Sequence, residues 1–169
     1  MDAIEAILSR RSIRKYTSEQ VSSEDIGIML KAAMAAPSAR DAQPWHFIVI
    51  DDHRILDTIP ETHPNASMLF EAQLAIAVCG DSQYQPGWWM VDCAAAAQNL
   101  LLAAHAIGLG AVWIGFYPVA ARMRELQGLV GLPSHILPLA LIALGHPGEK
   151  KELLNRYDSG KIHRNYWRI

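Results

Sequence analysis

An alanine-rich stretch in the second half of the chain limits the folds open to this sequence. The longest apolar run, Ala94 to Val112, is interrupted by Gln98, Asn99 and His105, whereas a membrane span needs roughly 20 nearly uninterrupted apolar residues. The pattern therefore predicts a helix from Val91 to Ile107 that is buried in protein. Small alanine side chains let other backbones approach closely, which suits the middle of a domain or a subunit interface.

Helical and extended patterns alternate along the rest of the chain. Apolar spacing predicts a first helix that ends near Arg10, a second that begins after Ser22 and is stopped by Pro37, and a short one from Pro118 to Gln127. Strands are predicted at His46–Ile50, Leu74–Cys79, Ala111–Phe116 and Ile136–Leu144. The second strand is apolar on both faces, which predicts a central position.

This order of elements predicts a single domain over residues 1–169. The fold class is α+β, a three-layer arrangement in which helices cover both faces of a sheet. The net charge of -2 is too near neutral for a general nucleic-acid binder. Two cysteines without CxxC spacing, and acids at Asp2 and Glu5 where a signal peptide would carry bases, favour a cytoplasmic protein. The histidines show no close metal-ligand spacing, so we expect no metal. The near-neutral charge and the interrupted apolar run predict no nucleic-acid partner and no membrane partner.

A cluster of donors follows the first predicted helix. The segment from Arg10 to Tyr16 contains three arginines, a lysine and Ser12. Arginine presents a planar fork of donors that matches phosphate oxygens. A solvated basic cap at the C-terminus of a helix is the alternative, and charge alone favours the cap.

Two other segments could face a ligand. The loop after Pro37 runs into an aromatic strand and could present Ser38, Arg40 and Gln43, although a plain helix-to-strand connector has the same composition. The glycines from Gly108 to Gly115 follow a helix and open a strand, which is the reverse of the dinucleotide-binding fingerprint. Gly115 could let the backbone approach a flat ligand; otherwise the segment is a helix cap and a buried strand.

Taken together, these segments resemble the nitroreductase family of FMN-dependent enzymes. The matching pieces, in order, are Arg10–Arg14, Ala36–Ser38, Gln43–Phe47, Ala95–Ala104, Gly108–Gly110, Trp113–Gly115 and Ala143–Pro147. Each piece is weak alone, but their order and spacing over nearly the whole chain are specific. The resemblance implies a mixed sheet with helices on both faces, and an intertwined homodimer with FMN at the subunit interface.

The resemblance also implies a set of flavin-binding residues. One subunit would hold the phosphate, the ribityl chain and the ring with Arg10, Arg11, Ser12 and Arg14. The other subunit would line the ring with Pro37, Ser38, Ala39 and Gln43. Backbone contacts to the ring would come from Trp113, Ile114 and Gly115. A base in the tail, residues 146–169, would complete the phosphate site or the dimer, with Arg156 the first candidate and Lys150 the second.

The implied activity is transfer of electrons from NADH or NADPH through FMN to an electron-poor small molecule, such as a nitroaromatic or a quinone, by a ping-pong mechanism. The flavin would carry the chemistry, so no protein side chain is expected to act as a catalytic residue. Arg14 would stabilise the negative charge of the reduced ring. Alternatives are an FMN store or electron-transfer protein, a dehalogenating or flavin-fragmenting branch, and a flavin-free interaction domain.

The chain departs from the family pattern in two places. Between Ser82 and Trp89 there is little room for the extra helices that shape the substrate pocket of longer members, and the tail ends in an atypical aromatic segment. Both features leave the substrate open. Trp88 and Trp89 could cover the open face of the ring, although packing in the core is the favoured role.

Overall fold

The computed structural model describes residues 1–84 and 86–167; Arg168, one of the tail bases, lies outside them. A four-stranded sheet has the order β1-β2-β4-β3. Its strands are β1 (Trp45–Ile50), β2 (Leu74–Asp81), β3 (Gly110–Gly115) and β4 (Ile136–Gly145). Neighbouring strands are antiparallel throughout. The central position of β2 is confirmed, and its first seven residues are all buried because helices cover both of its faces.

Helices flank this sheet. They are α1 (Ala3–Ser9), α2 (Ser23–Met34), α3 (His53–Leu56), α4 (Ile59–Thr62), α5 (Trp89–Ala106) and α6 (Ala120–Val130). Short 3-10 turns occur at Ala39–Asp41, Ser67–Phe70 and Ser159–Lys161. No helix in the described part of the chain is long and apolar enough to cross a membrane.

The core has two halves, one on each face of the sheet. Leu74, Ile76 and Val78 of β2 pack on the side of α2 and α5, while the alternate residues Ala75 and Ala77 pack on the side of α6 and the short helices. This alternation follows from the two-residue period of a strand. The buried residues of α5 recur at helical spacing, so α5 presents a wide apolar face to the sheet.

The long helix and the four strands predicted from the sequence are confirmed, with every end within two residues. The side chain of Ser22 caps α2 by accepting the backbone N–H of Asp25, as expected. Asn99, one of the polar interruptions in α5, donates from Nδ2 to the Ala32 carbonyl at 3.0 Å and so ties α5 to α2. Gly108 follows α5 with φ +89, a conformation that ends a helix and that glycine adopts without strain.

Three expectations need correction. The sheet is mixed only through an isolated parallel bridge between Ser12 and Ala111, because the named strands all pair antiparallel. The helix expected to start at Pro118 begins at Ala120, because Pro118 lies in a turn before the N-cap residue Val119. The short helices α3 and α4 were not predicted, because four residues are too few for a periodic pattern to stand out.

Candidate functional site

A cavity of about 570 Å³ opens along the edge strand β3, and we call it the β3 cavity. Its lining residues are Arg14, His63, Pro64, Asn65, Ser67, Met68, Val112, Trp113, Ile114, Gly115, Tyr117, Val119 and Arg122. The volume is typical of a pocket for a small molecule or cofactor. Because β3 pairs with β4 on one side only, the backbone groups of its other edge that no residue of this chain engages are available to a ligand.

The segment after α1 packs against the start of β3. Ile13 donates its backbone N–H to the Ala111 carbonyl at 3.0 Å. Gly110 makes this approach possible, since a Cβ atom there would come within 2.7 Å of the Ile13 side chain. The close packing carries Arg14 to the rim of the β3 cavity, beside the strand that lines it.

His63 joins two walls of the same cavity. Its Nε2 atom lies 2.9 Å from the Gly115 carbonyl oxygen, and its Nδ1 atom lies 3.3 Å from the backbone nitrogen of Asn65. The ring is 3% exposed and packs at a tilt against Phe116, with the ring centroids 5.1 Å apart. His63 therefore attaches the turn that carries Asn65 to the end of β3.

A second cavity, also of about 570 Å³, is rich in cations, and we call it the basic cavity. It is lined by Arg11, Ser12, Arg14, Lys150, Lys151, Glu152, Leu154 and Arg156. The structure thus brings together five residues predicted for phosphate or flavin binding, including both tail candidates, Arg156 and Lys150. Arg14 lines both cavities, so the two are neighbours at this residue.

Positive side chains outnumber acids around the basic cavity, whose described lining residues include five cations and one acid, Glu152. Burial, and then the nearby guanidinium groups of Arg156 and Arg11, lower the pKa of Arg10. Repulsion among these three arginines makes a bound anion favourable at this place. Arg10 itself does not line the basic cavity.

Arg11 is already engaged by backbone oxygens. Its guanidinium donates to the carbonyls of Leu8 and Arg10 at 3.1 and 2.7 Å, at the end of α1. It also donates to the tail carbonyls of Glu152 and Leu154 at 2.9 and 3.5 Å. The helix-cap alternative therefore describes much of what Arg11 does, and phosphate binding by Arg11 stays a prediction.

Glu149 fixes the backbone of the arginine segment. One carboxylate oxygen accepts the N–H of Arg14 at 2.7 Å, and the other pairs with Lys151 Nζ at 2.6 Å. Hydrogen bonding to Lys151, and then to the Arg14 N–H, lowers the pKa of this carboxyl group. The start of the tail is thereby attached to the residue that both cavities share.

The loop after α2 is strained and is held in place by α5. Arg40, Asp41 and Gln43 have φ between 49 and 57, a region that non-glycine residues rarely adopt. Asp92, which is 4% exposed, accepts the Ala39 N–H through Oδ1 at 3.0 Å. Its other oxygen, Oδ2, is buried and has no hydrogen-bond partner among the described residues. Such strain and an unpaired buried oxygen are typical of functional segments.

The predicted partner residues lie apart from these cavities. Pro37, Ser38, Ala39 and Gln43 line neither the β3 cavity nor the basic cavity of their own chain. Trp113, Ile114 and Gly115 line the β3 cavity, and their contact with a flavin ring stays a prediction. Sequence reasoning missed His63, Asn65, Met68 and Arg122, and the one available signal was the His63–Pro64–Asn65 turn before a buried strand. Trp89 is buried in the core, whereas Trp88 is exposed.

The described residues contain no group of three or more His, Cys, Asp or Glu side chains that could hold a metal ion.

A family model described as "Nitroreductase family" matches residues 7–61 and 58–146, which include the Arg14 segment, β3 and all of β4. This chain belongs to the nitroreductase family. The match covers the strained loop as well as the β3 cavity.

Relatives within the nitroreductase family are similar over the full chain. A protein of Methanothermobacter thermautotrophicus, assigned provisionally as an NADH dehydrogenase/NAD(P)H nitroreductase, is 47% identical over 99% of this chain and 88% of its own. A solved structure from Parabacteroides distasonis with the same provisional assignment has a TM-score of 0.95 and 46% identity, covering 97% of this chain and 98% of that one. A provisionally assigned nitroreductase of Desulfovibrio desulfuricans, solved in complex with FMN, has a TM-score of 0.87 and 32% identity, and each chain covers 99% of the other.

Proposed function

We propose that this protein is an FMN-dependent NAD(P)H oxidoreductase that reduces electron-poor small molecules. The observation that carries this proposal is the position of Arg14 between two cavities of different chemistry. FMN has a phosphate at one end and a flat ring at the other. The basic cavity suits the phosphate, and the β3 cavity combines apolar side chains with the polar edge of a strand, which suits the ring.

The residues of the two cavities fit FMN in type as well as in place. Ser12 and Arg156 would hold the phosphate, with Lys150 and Lys151 adding charge. Trp113, Ile114 and Gly115 would lie along the ring. Arg14 would stabilise negative charge on the reduced ring, because a fixed cation next to developing charge favours the charged state. When bound, FMN supplies the electron transfer between donor and acceptor.

The proposal includes a homodimer with FMN at the subunit interface. All described tail residues from 151 to 167 are exposed apart from His163, and large apolar side chains among them face water: Leu153, Leu154, Tyr157, Ile162, Tyr166 and Trp167. Ile4, Ile7 and Leu8 of α1 are exposed too. Apolar groups exposed on this scale are typical of an interaction surface. A second copy would cover them and would bring its Ser38 loop to the cavities.

The finer features of the mechanism belong to the same proposal. Donor and acceptor would occupy the same face of the flavin ring in turn, in a ping-pong cycle. No protein nucleophile is required. We also keep the cytoplasmic location as a prediction, supported by two buried cysteines without a disulfide.

The test is the spectrum and the activity of the purified protein. We expect a yellow protein with bound FMN that oxidises NADH or NADPH when a quinone or a nitroaromatic compound is added. Bound FMN without steady-state turnover would favour the alternative of a flavin store or electron-transfer protein. A colourless protein that does not take up added FMN would contradict the proposal.

A further inference from the structure

The β3 cavity carries two positive charges that no acid among the described residues balances. Arg14 and Arg122 both line it, and no Asp or Glu is among its described lining residues. Neither guanidinium forms a hydrogen bond or an ion pair with another described residue. The proposed function gives Arg14 a role beside the flavin, but it leaves Arg122 without one.

The position of Arg122 in its helix offers no structural reason for the charge. Arg122 is half-buried in the first turn of α6, where a positive side chain opposes the helix dipole. That turn has no acidic residue, and no side chain caps the helix. Glu125, one turn further on, forms no ion pair with Arg122 and lines a different cavity. An ordinary surface salt bridge therefore does not account for Arg122.

We propose that Arg122 binds an oxyanion, a carboxylate or a phosphate, on the molecule that enters the β3 cavity beside the flavin. This inference rests on the proposed function and extends it to the class of substrate. If the Arg14 guanidinium faces the flavin ring, the Arg122 guanidinium remains to bind the incoming molecule. The guanidinium fork matches both carboxylate and phosphate oxygens. The anion could come from the acceptor or from the nucleotide donor, and the two sources predict different results.

The variant Arg122→Gln removes the charge and leaves a shorter, neutral polar side chain. Arg124→Gln is the matched control, since it removes the same charge from the same helix, at an exposed position that does not line the β3 cavity. Calorimetric titration of the flavin-loaded protein would use para-nitrobenzoate and its neutral analogue para-nitrobenzamide. Steady-state assays would compare the same acceptors, and would also compare NADPH with NADH as donor.

If the acceptor carries the anion, Arg122→Gln weakens binding of para-nitrobenzoate about tenfold, the effect of losing one charge-assisted hydrogen bond. Binding of para-nitrobenzamide then stays within about twofold, because it has no charge to lose. If the nucleotide donor carries the anion, Arg122→Gln instead raises the KM for the donor by about tenfold. The increase is larger for NADPH than for NADH when Arg122 binds the additional phosphate of NADPH. Arg124→Gln leaves all of these values unchanged.

The proposal is wrong if Arg122→Gln changes no anionic ligand more than Arg124→Gln does, or if the neutral amide loses as much affinity as the carboxylate. The proposed function fails in a distinguishable way. A protein that binds no FMN and oxidises no NAD(P)H would contradict the proposed function, while calorimetry of that flavin-free protein and its Arg122→Gln variant would still report whether Arg122 binds para-nitrobenzoate.

Discussion

The Nε2 atom of His63 lies 2.9 Å from the carbonyl oxygen of Gly115, at the end of the strand that lines the β3 cavity. Since Nδ1 accepts the backbone N–H of Asn65, Nε2 carries the proton and donates it to Gly115. Both ring nitrogens are therefore used, and the tautomer is determined by the fold. One buried imidazole holds together the Asn65 turn and the Gly115 backbone.

Replacing His63 should loosen the β3 cavity. His63→Phe keeps a ring against Phe116 but removes both hydrogen bonds, leaving the Gly115 carbonyl without this partner. We expect the dissociation constant for FMN to rise about tenfold, as for the loss of a hydrogen bond of about 1.4 kcal/mol. Fluorescence titration of the apoprotein measures it. His53→Phe, at an exposed position in α3, is the control, and equal FMN affinity in both variants would show that His63 does not position the cavity.

Arg14 should control the reduced state of the flavin. Arg14→Met removes the charge at the junction of the two cavities while keeping an extended side chain. We expect weaker FMN retention or a lower reduction potential, because the negative charge of the reduced ring loses its cation. Spectroelectrochemical titration of the purified holoprotein measures the potential, with Arg124→Met as the control for loss of a surface charge. A variant that keeps its flavin at an unchanged potential would contradict this role.

Asp92 should hold the strained loop through the Ala39 amide. Asp92→Ala removes the acceptor and should lower the free energy of unfolding by about 1 kcal/mol, the typical contribution of one hydrogen bond. Asp92→Asn keeps an oxygen that can accept the Ala39 N–H. Hydrogen exchange at Ala39 should therefore be faster in Asp92→Ala than in Asp92→Asn. Equal protection of Ala39 in both variants would mean that the rest of the loop holds itself in place.

The lowered pKa of Glu149 predicts how acid affects the hydrogen bonds that attach the tail to Arg14. Because the folded state lowers the pKa of Glu149, its contribution to stability is fully present above the ordinary pKa of a glutamate. That contribution is lost as the pH falls through the lowered pKa of the folded protein. Glu149→Gln should be less stable than the parent at neutral pH, and the two should converge in acid. Urea midpoints measured across this range test it, and a difference that stays constant with pH would refute it.

Local patterns in the sequence predicted much of the fold. The alanine-rich α5 and the apolar β2 could be found because each has a periodicity that neighbouring residues alone define. The segment from Arg10 to Arg14 could be found because its charge density is unusual over a few residues. The tail base Arg156 came from family resemblance, and it lines the basic cavity.

The rest depended on contacts between distant parts of the chain. His63 meets Gly115 only because a turn before β2 packs beside the end of β3. Asp92 looked like an ordinary acid in the first turn of a helix, and its contact with Ala39 is set by the packing of α5 against the loop. Arg122 lies in a helix of mixed polarity, and its place in the β3 cavity follows from where β3 ends.

We propose that each flavin site takes residues from two chains, and a mixed dimer is the sharpest test of this arrangement. Arg14→Glu should damage the cavity side of the site, and Ser38→Trp should block the loop side, so that each homodimer loses FMN. When the two variants are co-expressed with different tags and the heterodimer is isolated, one site contains both defects and the other contains neither. We expect the heterodimer to bind a single FMN. A heterodimer that binds none would rule out a site shared between chains, since a site built within one chain would be damaged in both subunits.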